Sequence, residues 1–150
     1  MPSAPSPALG RVVALALPSH DGALVSLPLA GVRATLLDAF APTCEPCREK
    51  VPALLARQGE IESAGGRLVL VSVLAEGEST DDARAALRSW GAEAPFLLDR
   101  GEALRRECGV DALPASVVLD AQGVVRWIAP AGAGADRVVA AARAVAQGGE

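Results

Sequence analysis

Cys44-Glu45-Pro46-Cys47 is the segment of this 150-residue chain whose residue types and spacing best suit chemistry. A thiolate is both a nucleophile and a metal ligand, so the pair admits disulfide exchange or metal binding. A disulfide across it would close a loop too small to stabilise the chain much through entropy. Zinc needs three or four ligands, and only Cys108 and His20 remain, neither in a second ligand cluster. The odd total of three cysteines argues against a disulfide-stapled scaffold. Redox exchange is therefore the expectation, with no metal and no organic cofactor.

Such a pair needs elements that hold it. Ala34-Thr35-Leu36-Leu37-Asp38-Ala39-Phe40 is a short apolar run of the kind buried on both faces of a sheet. From Pro46 to about Gln58 the pattern turns helical, with Val51, Leu54 and Leu55 on one side and Arg48, Glu49 and Arg57 on the other. The cysteines thus stand where a strand ends and a helix begins. The positive end of the helix dipole and its unpaired N–H groups favour a thiolate there. Pro46 suits the first turn, where its missing N–H is not needed, and Pro52 should kink the helix. Asp38 interrupts the apolar strand, where low dielectric should raise its pKa. Glu45 should oppose thiolate formation at Cys44 and make the pair more reducing, although an acid in a first turn also simply complements the dipole.

The rest of the chain alternates in kind. Arg11 to Leu17 and Leu24 to Leu27 suggest a hairpin around His20-Asp21-Gly22. Arg67 to Leu74 is the strongest strand candidate, and Ser79-Thr80-Asp81-Asp82 supplies caps for a helix through Ala83, Ala86, Leu87 and Trp90, closed by Gly91. A short strand at Phe96–Asp99 and a short helix from Glu102 to Cys108 follow. Ser116–Leu119 and Val124–Ile128 flank a turn at Asp120-Ala121-Gln122-Gly123. Asp136 to Ala146 reads as a closing helix. This order implies an α/β layered sheet, one domain over residues 11–147 behind a flexible tail at 1–10. Hydrophobic residues at 51% and charged residues at 21% suit a compact globular chain. The net charge of -4 disfavours nucleic acid as a partner. No window approaches 18 consecutive apolar residues, so no transmembrane segment is expected. The opening Met1-Pro2-Ser3-Ala4-Pro5-Ser6-Pro7 lacks the order of a signal peptide. Compartment stays open: periplasmic or membrane-anchored if an N-terminal anchor has been trimmed, cytoplasmic if the chain is complete as written.

Phe40-Ala41-Pro42-Thr43-Cys44-Glu45-Pro46-Cys47-Arg48-Glu49-Lys50-Val51-Pro52 resembles the active-site segment of the TlpA/ResA-like thioredoxins, and Gly109-Val110-Asp111-Ala112-Leu113-Pro114-Ala115-Ser116 resembles their cis-proline segment. The resemblance runs from about Leu15 to Val145 and implies a thioredoxin-like fold. That fold has a central mixed sheet flanked by helices, an N-terminal hairpin and a helix–strand insertion around Thr80 to Asp99. It implies a thiol–disulfide oxidoreductase, a monomer that acts on protein disulfides and is reset by an upstream thiol donor; apocytochrome thiols are clients of ResA-type proteins. Carried over by position, Cys44 is the nucleophile and Cys47 the resolving thiol. Asp38 takes the Cys47 proton, and Pro114 packs in cis against the pair. Leu113, Glu45, Pro46 and Thr43 meet the client. Family members usually carry Trp where Thr43 and Phe40 stand, which puts the client's identity in question more than the reaction.

Two alternatives belong to other classes. A peroxiredoxin-type thiol peroxidase would use Cys44 on peroxide, but its Pro-x-x-x-Thr-x-x-Cys pattern is absent, with Leu37 and Ala41 at those positions. A non-catalytic module could hold copper or zinc through Cys44 and Cys47. Glu76 and Glu78 could approach the site from the end of the long strand, about two residues out of register with the family. Cys108 reads as a small buried hydrophobe and His20 as a solvated turn residue. Trp90 and Trp127 read as packing.

Overall fold

The computed structural model describes residues 8–149. A hairpin of β1 (Leu15–Pro18) and β2 (Leu24–Leu27) forms its own two-stranded antiparallel sheet. The main sheet holds β3 (Ala34–Phe40), β4 (Gly66–Val73), β5 (Leu97–Asp99), β6 (Ala115–Asp120) and β7 (Val125–Ile128) in the order β5-β4-β3-β6-β7. Strands β3, β4 and β5 run parallel, while β6 and β7 run antiparallel to their neighbours. The sheet is mixed, and β3 lies at its centre. Every residue of β3 is buried, which is what its unbroken apolar run requires of a strand covered on both faces.

Side chains alternate across β3. Leu37 and Ala39 join a core with Val71, Leu104, Val117 and the hairpin's Leu17 and Leu27. Ala34, Leu36 and Phe40 face the other way. There they meet α1 (Cys47–Ala56), α2 (Gln58–Ser63), α3 (Thr80–Ser89) and α5 (Ala135–Ala146) through Val51 and Leu54, Ile61, Leu87, and Val138 and Ala142. The short α4 (Ala103–Cys108) covers the first face through Leu104 and Cys108. Burying side chains such as Phe40 or Leu54 completely contributes roughly 1.5–3 kcal/mol each.

Local chemistry sets several boundaries. Ser79 caps α3 through a reciprocal pair of bonds with Asp82, the capping box. Gly109 ends α4 at φ 70, a left-handed conformation that glycine adopts at little cost. Gly123 closes the β6–β7 turn at φ +85, and a Cβ there would stand 2.5 Å from the Val13 carbonyl oxygen. Only glycine lets the N-terminal segment approach so closely. The helix expected from Pro46 to about Gln58 is instead two helices. α1 ends at Ala56, Arg57 leaves helical geometry at φ -112, and α2 continues to Ser63. Pro52 lies inside α1 and cannot donate to the Arg48 carbonyl. The segment 1–10 lies mostly outside the described residues. Within it Ala8 is buried and the Gly10 N–H donates to the Val125 carbonyl at 2.9 Å.

Candidate active site

The turn after β3 carries the cysteines onto the first turn of α1. Cys44 and Cys47 are joined by a disulfide, with Cα atoms 5.3 Å apart. Cys44 is half-buried and Cys47 completely buried, so one sulfur faces the outside and the other the core. The Cys47 N–H donates to the Cys44 Sγ at 3.3 Å. The N-cap residue Pro46 makes no side-chain cap, so the Cys47 N–H and the helix dipole act on the outer sulfur, the condition that favours a thiolate in the reduced pair. Glu45 is exposed and its carboxylate sits 3.3 Å from the Arg48 guanidinium. That ion pair offsets the repulsion between Glu45 and an ionised Cys44.

Asp38 lies on β3 and meets α1 through Lys50. Its side chain is fully buried and shares the face of β3 that carries Leu36 and Phe40, and Cys47 packs in one cluster with Phe40. The Ser116 hydroxyl on β6 donates to Asp38 Oδ1 at 2.7 Å, and the Lys50 ammonium on α1 lies 3.5 Å from the same oxygen. Oδ2 has no hydrogen-bond partner among the described residues. Burial pushes the Asp38 carboxyl up to about 6, with Lys50 and then Ser116 acting against the rise.

One groove reaches the outer sulfur, and a second adjoins it through Pro46 and Leu113. The first, of about 520 Å³, is lined by Thr43, Cys44, Glu45 and Pro46 on one side and by Asp99, Glu102 and Leu113 on the other. The second, of about 630 Å³, runs past Pro46, Lys50, Leu113 and Pro114 to Ile128 and the segment before α5. The Leu113–Pro114 bond is cis. Among the described residues, no turn or loop hydrogen bond engages the Leu113 main chain. The structure thus gathers Cys44, Glu45, Pro46, Thr43 and Leu113 around one opening, with Pro114 in the adjoining groove; Asp38 is buried and meets Lys50 and Ser116.

Residues 10–128 match the AhpC/TSA family. The chain belongs to the AhpC/TSA family. Its described fold is close to that of a putative thiol:disulfide interchange protein DsbE from Chlorobium tepidum, with a TM-score of 0.74 and 27% identity over 90% of this chain and 97% of the other. StoA from Bacillus subtilis shares the fold at a TM-score of 0.65 and 20% identity, over 89% of this chain and 98% of the other. Among curated proteins, the thioredoxin-like protein YneN of Bacillus subtilis strain 168 is 28% identical over 112 residues, 75% of this chain. The match spans 65% of YneN's own length. A thioredoxin-like fold with a disulfide-forming Cys-x-x-Cys at a helix start is the arrangement of a thiol–disulfide oxidoreductase.

The remaining members of this AhpC/TSA chain singled out by sequence fall elsewhere. Glu76 and Glu78 do not line the groove beside Cys44; Glu78 accepts from the Ala75 N–H at 2.7 Å and so closes its own loop. Cys108 is buried, and burial pushes its thiol up to about 11. His20 is not simply a solvated turn residue: its ring stacks on Phe96 at 5.1 Å, and its Nδ1 accepts from the Phe96 N–H at 3.4 Å. Trp90 meets Phe40 edge-on at 5.8 Å, and Trp127 packs against the α5 side of the core. No group of three or more His, Cys, Asp or Glu side chains able to hold a metal occurs among the described residues.

Three residues of the site were not legible beforehand. Lys50 was assigned to neither side of its helix, yet Cys47, Lys50, Val51 and Leu54 form the buried stripe of α1. Their spacing of three and four was the available signal. Ser116 carried no signal, because its partner lies 78 positions away. Asp99 is buried at the end of β5, accepts from the Ala103 and Leu104 N–H groups at 2.9 and 3.0 Å, and so seats α4 as a wall of the first groove.

Proposed function

We propose that the chain reduces protein disulfides through Cys44 and Cys47, with Asp38 as the base of the resolving step. The observation that carries this reading is the asymmetry of the pair: a half-buried Cys44 sulfur accepting a helix N–H, above a fully buried Cys47. In the reduced protein the Cys44 thiolate attacks one sulfur of the client disulfide. A mixed disulfide forms and the client's other sulfur leaves as a thiolate. Cys47 then gives its proton to Asp38, and its sulfur attacks Cys44. The Cys44–Cys47 bond forms, the mixed disulfide breaks, and the client's second thiolate is released. Two electrons have passed to the client, and a separate dithiol donor must restore the pair.

The client is an extended segment lying along Leu113, whose free main chain offers hydrogen bonds of the kind a sheet edge offers. Thr43, Glu45 and Pro46 border its path and Pro114 supports the pair from the side. All these groups come from one chain, so a monomer suffices. Neither a metal nor an organic cofactor enters the steps.

Single-turnover reaction of the reduced protein with a model protein disulfide tests the reading. Cys44→Ser should abolish it, while Cys47→Ser should stall as a covalent mixed disulfide that mass spectrometry detects. The captured partner reports the client, apocytochrome or otherwise. Oxidation of Cys44 by hydrogen peroxide far faster than that of a free thiol, with the model disulfide left intact, would overturn the reading in favour of a peroxidase.

A further inference from the structure

The Asp38–Lys50 ion pair has a geometry that the exchange steps alone do not explain. Lys50 is 9% exposed, and a long, strongly hydrated ammonium is buried at this level only when it is paired. Its partner is Asp38, 3.5 Å away. The Ser116 hydroxyl reaches the same oxygen of Asp38 at 2.7 Å from the opposite element. Both donors converge on Oδ1, and Oδ2, equally buried, is left without a partner among the described residues. Lys50 follows Cys47 by three positions on the buried stripe of α1, so the ammonium that meets Oδ1 and the resolving sulfur belong to the same face of one helix.

We infer that Lys50 is a positioning residue for thiol–disulfide exchange: with Ser116 it holds Asp38 by Oδ1 and presents Oδ2 to the proton of Cys47. This rests on the reading of Asp38 as the base. An Asp38 held by Ser116 alone could turn about its Cα–Cβ and Cβ–Cγ bonds and expose either oxygen to the thiol. A second donor on the same oxygen removes that freedom. The ammonium also keeps the carboxylate ionised, and so able to accept a proton, at lower pH than burial alone would allow.

Among the described residues, the groups of β4, β6 and α5 on the buried side carry no charge that could replace Lys50. The register neighbour of Asp38 on β4 is Leu70, followed by Ser72, and on β6 it is Ser116. The buried face of α5 offers Val138, Val139 and Ala142. On α1 the flanking Arg48 and Glu49 are exposed. Lys50 makes the ion pair to Asp38 among the described residues. It also lines the second groove beside Pro46 and Pro114, so one side chain lies between the client's path and the base.

The test follows the Asp38 carboxyl by its ¹³C resonance in the oxidised protein and, separately, the pH profile of mixed-disulfide resolution in single turnover. Lys50→Met keeps the stem and removes the charge. The Asp38 midpoint should rise by about one unit or more, and the rise of the resolving rate with pH should move up by the same amount. Lys50→Arg should restore both. In an Asp38→Asn background, adding Lys50→Met should leave the resolving profile unchanged. If Met disorders the chain, Lys50→Gln gives the same two readouts with a neutral polar head. An unmoved Asp38 midpoint, or a resolving profile that shifts in the Asp38→Asn background, would overturn the role given to Lys50. Loss of the pH-dependent limb in Asp38→Asn beside an unmoved midpoint in Lys50→Met would sink Lys50 while sparing the base. An Asp38→Asn profile identical to that of the parent protein would sink the base reading, and this inference with it.

Discussion

Cys44 and Cys47 share a turn but not an environment, and the chemistry follows from that difference. A sulfur that accepts an N–H at a helix start and meets solvent is a nucleophile; one that is wholly buried needs a base beside it to ionise. Ser116 is the most direct probe of Asp38, the base we propose. Ser116→Ala removes the 2.7 Å bond to Asp38 Oδ1 and leaves a buried acceptor short of a partner. The variant should lose about 1–3 kcal/mol of stability at neutral pH, read by urea denaturation. Its Asp38 midpoint should also rise, because the lost bond favoured the charged form. A stability loss with a lowered midpoint would show that Ser116 holds the protonated carboxyl instead.

At the scale of elements, one wall of the site is fixed by a side chain of a neighbouring strand. Asp99 ties the start of α4 to β5 through the Ala103 and Leu104 N–H groups, and α4 walls the groove beside Cys44 through Leu104 and Arg105. Asp99→Ala should therefore raise the KM for a protein client several-fold, and leave exchange with a small thiol or disulfide nearly unchanged. Equal losses with both substrates would instead place Asp99 in the chemistry. The capping box of α3 is a contrasting case, since Ser79 lies away from both grooves. Ser79→Ala should cost about 1 kcal/mol of stability with no change in the exchange rate.

Across the whole molecule, a buried acid that stays protonated to about pH 6 must mark the stability curve. Asp38 titrates near 3.8 in an unfolded chain and near 6 in the folded one. The folded state therefore binds the proton more tightly, and this group's contribution is largest below pH 3.8. It is lost as pH rises from about 4 to about 6, by on the order of 3 kcal/mol, and stays lost above that window. Asp120 and Glu60, whose carboxyls are lowered, act in the opposite sense, so the isolating measurement is a difference. Urea denaturation of the protein and of an Asp38→Asn/Lys50→Met double variant should diverge across that window. The double variant should be at least as stable at pH 8, since replacing a buried ion pair by uncharged groups of similar size is often neutral or stabilising. A pH-independent difference would mean that Asp38 does not change protonation there.

Residues close in the chain, and one unbroken pattern, carried much of this structure in the sequence itself. The seven apolar-run residues of β3, the Ser79 cap, the Gly109 stop and the Gly123 turn are local matters of burial period and backbone freedom, so they could be read directly. The cysteine pair could be read for the same reason, because its chemistry depends on a strand ending and a helix starting within a few positions. The break at Arg57 and the cap on α4 could not, as each is decided by how a helix end seats against its neighbours. Least legible was the polar cluster around Asp38. Asp38, Lys50 and Ser116 come from three elements. A lysine in a helix reads as solvated until the sheet packs against it, and only the register of β6 beside β3 sets a serine against that carboxylate.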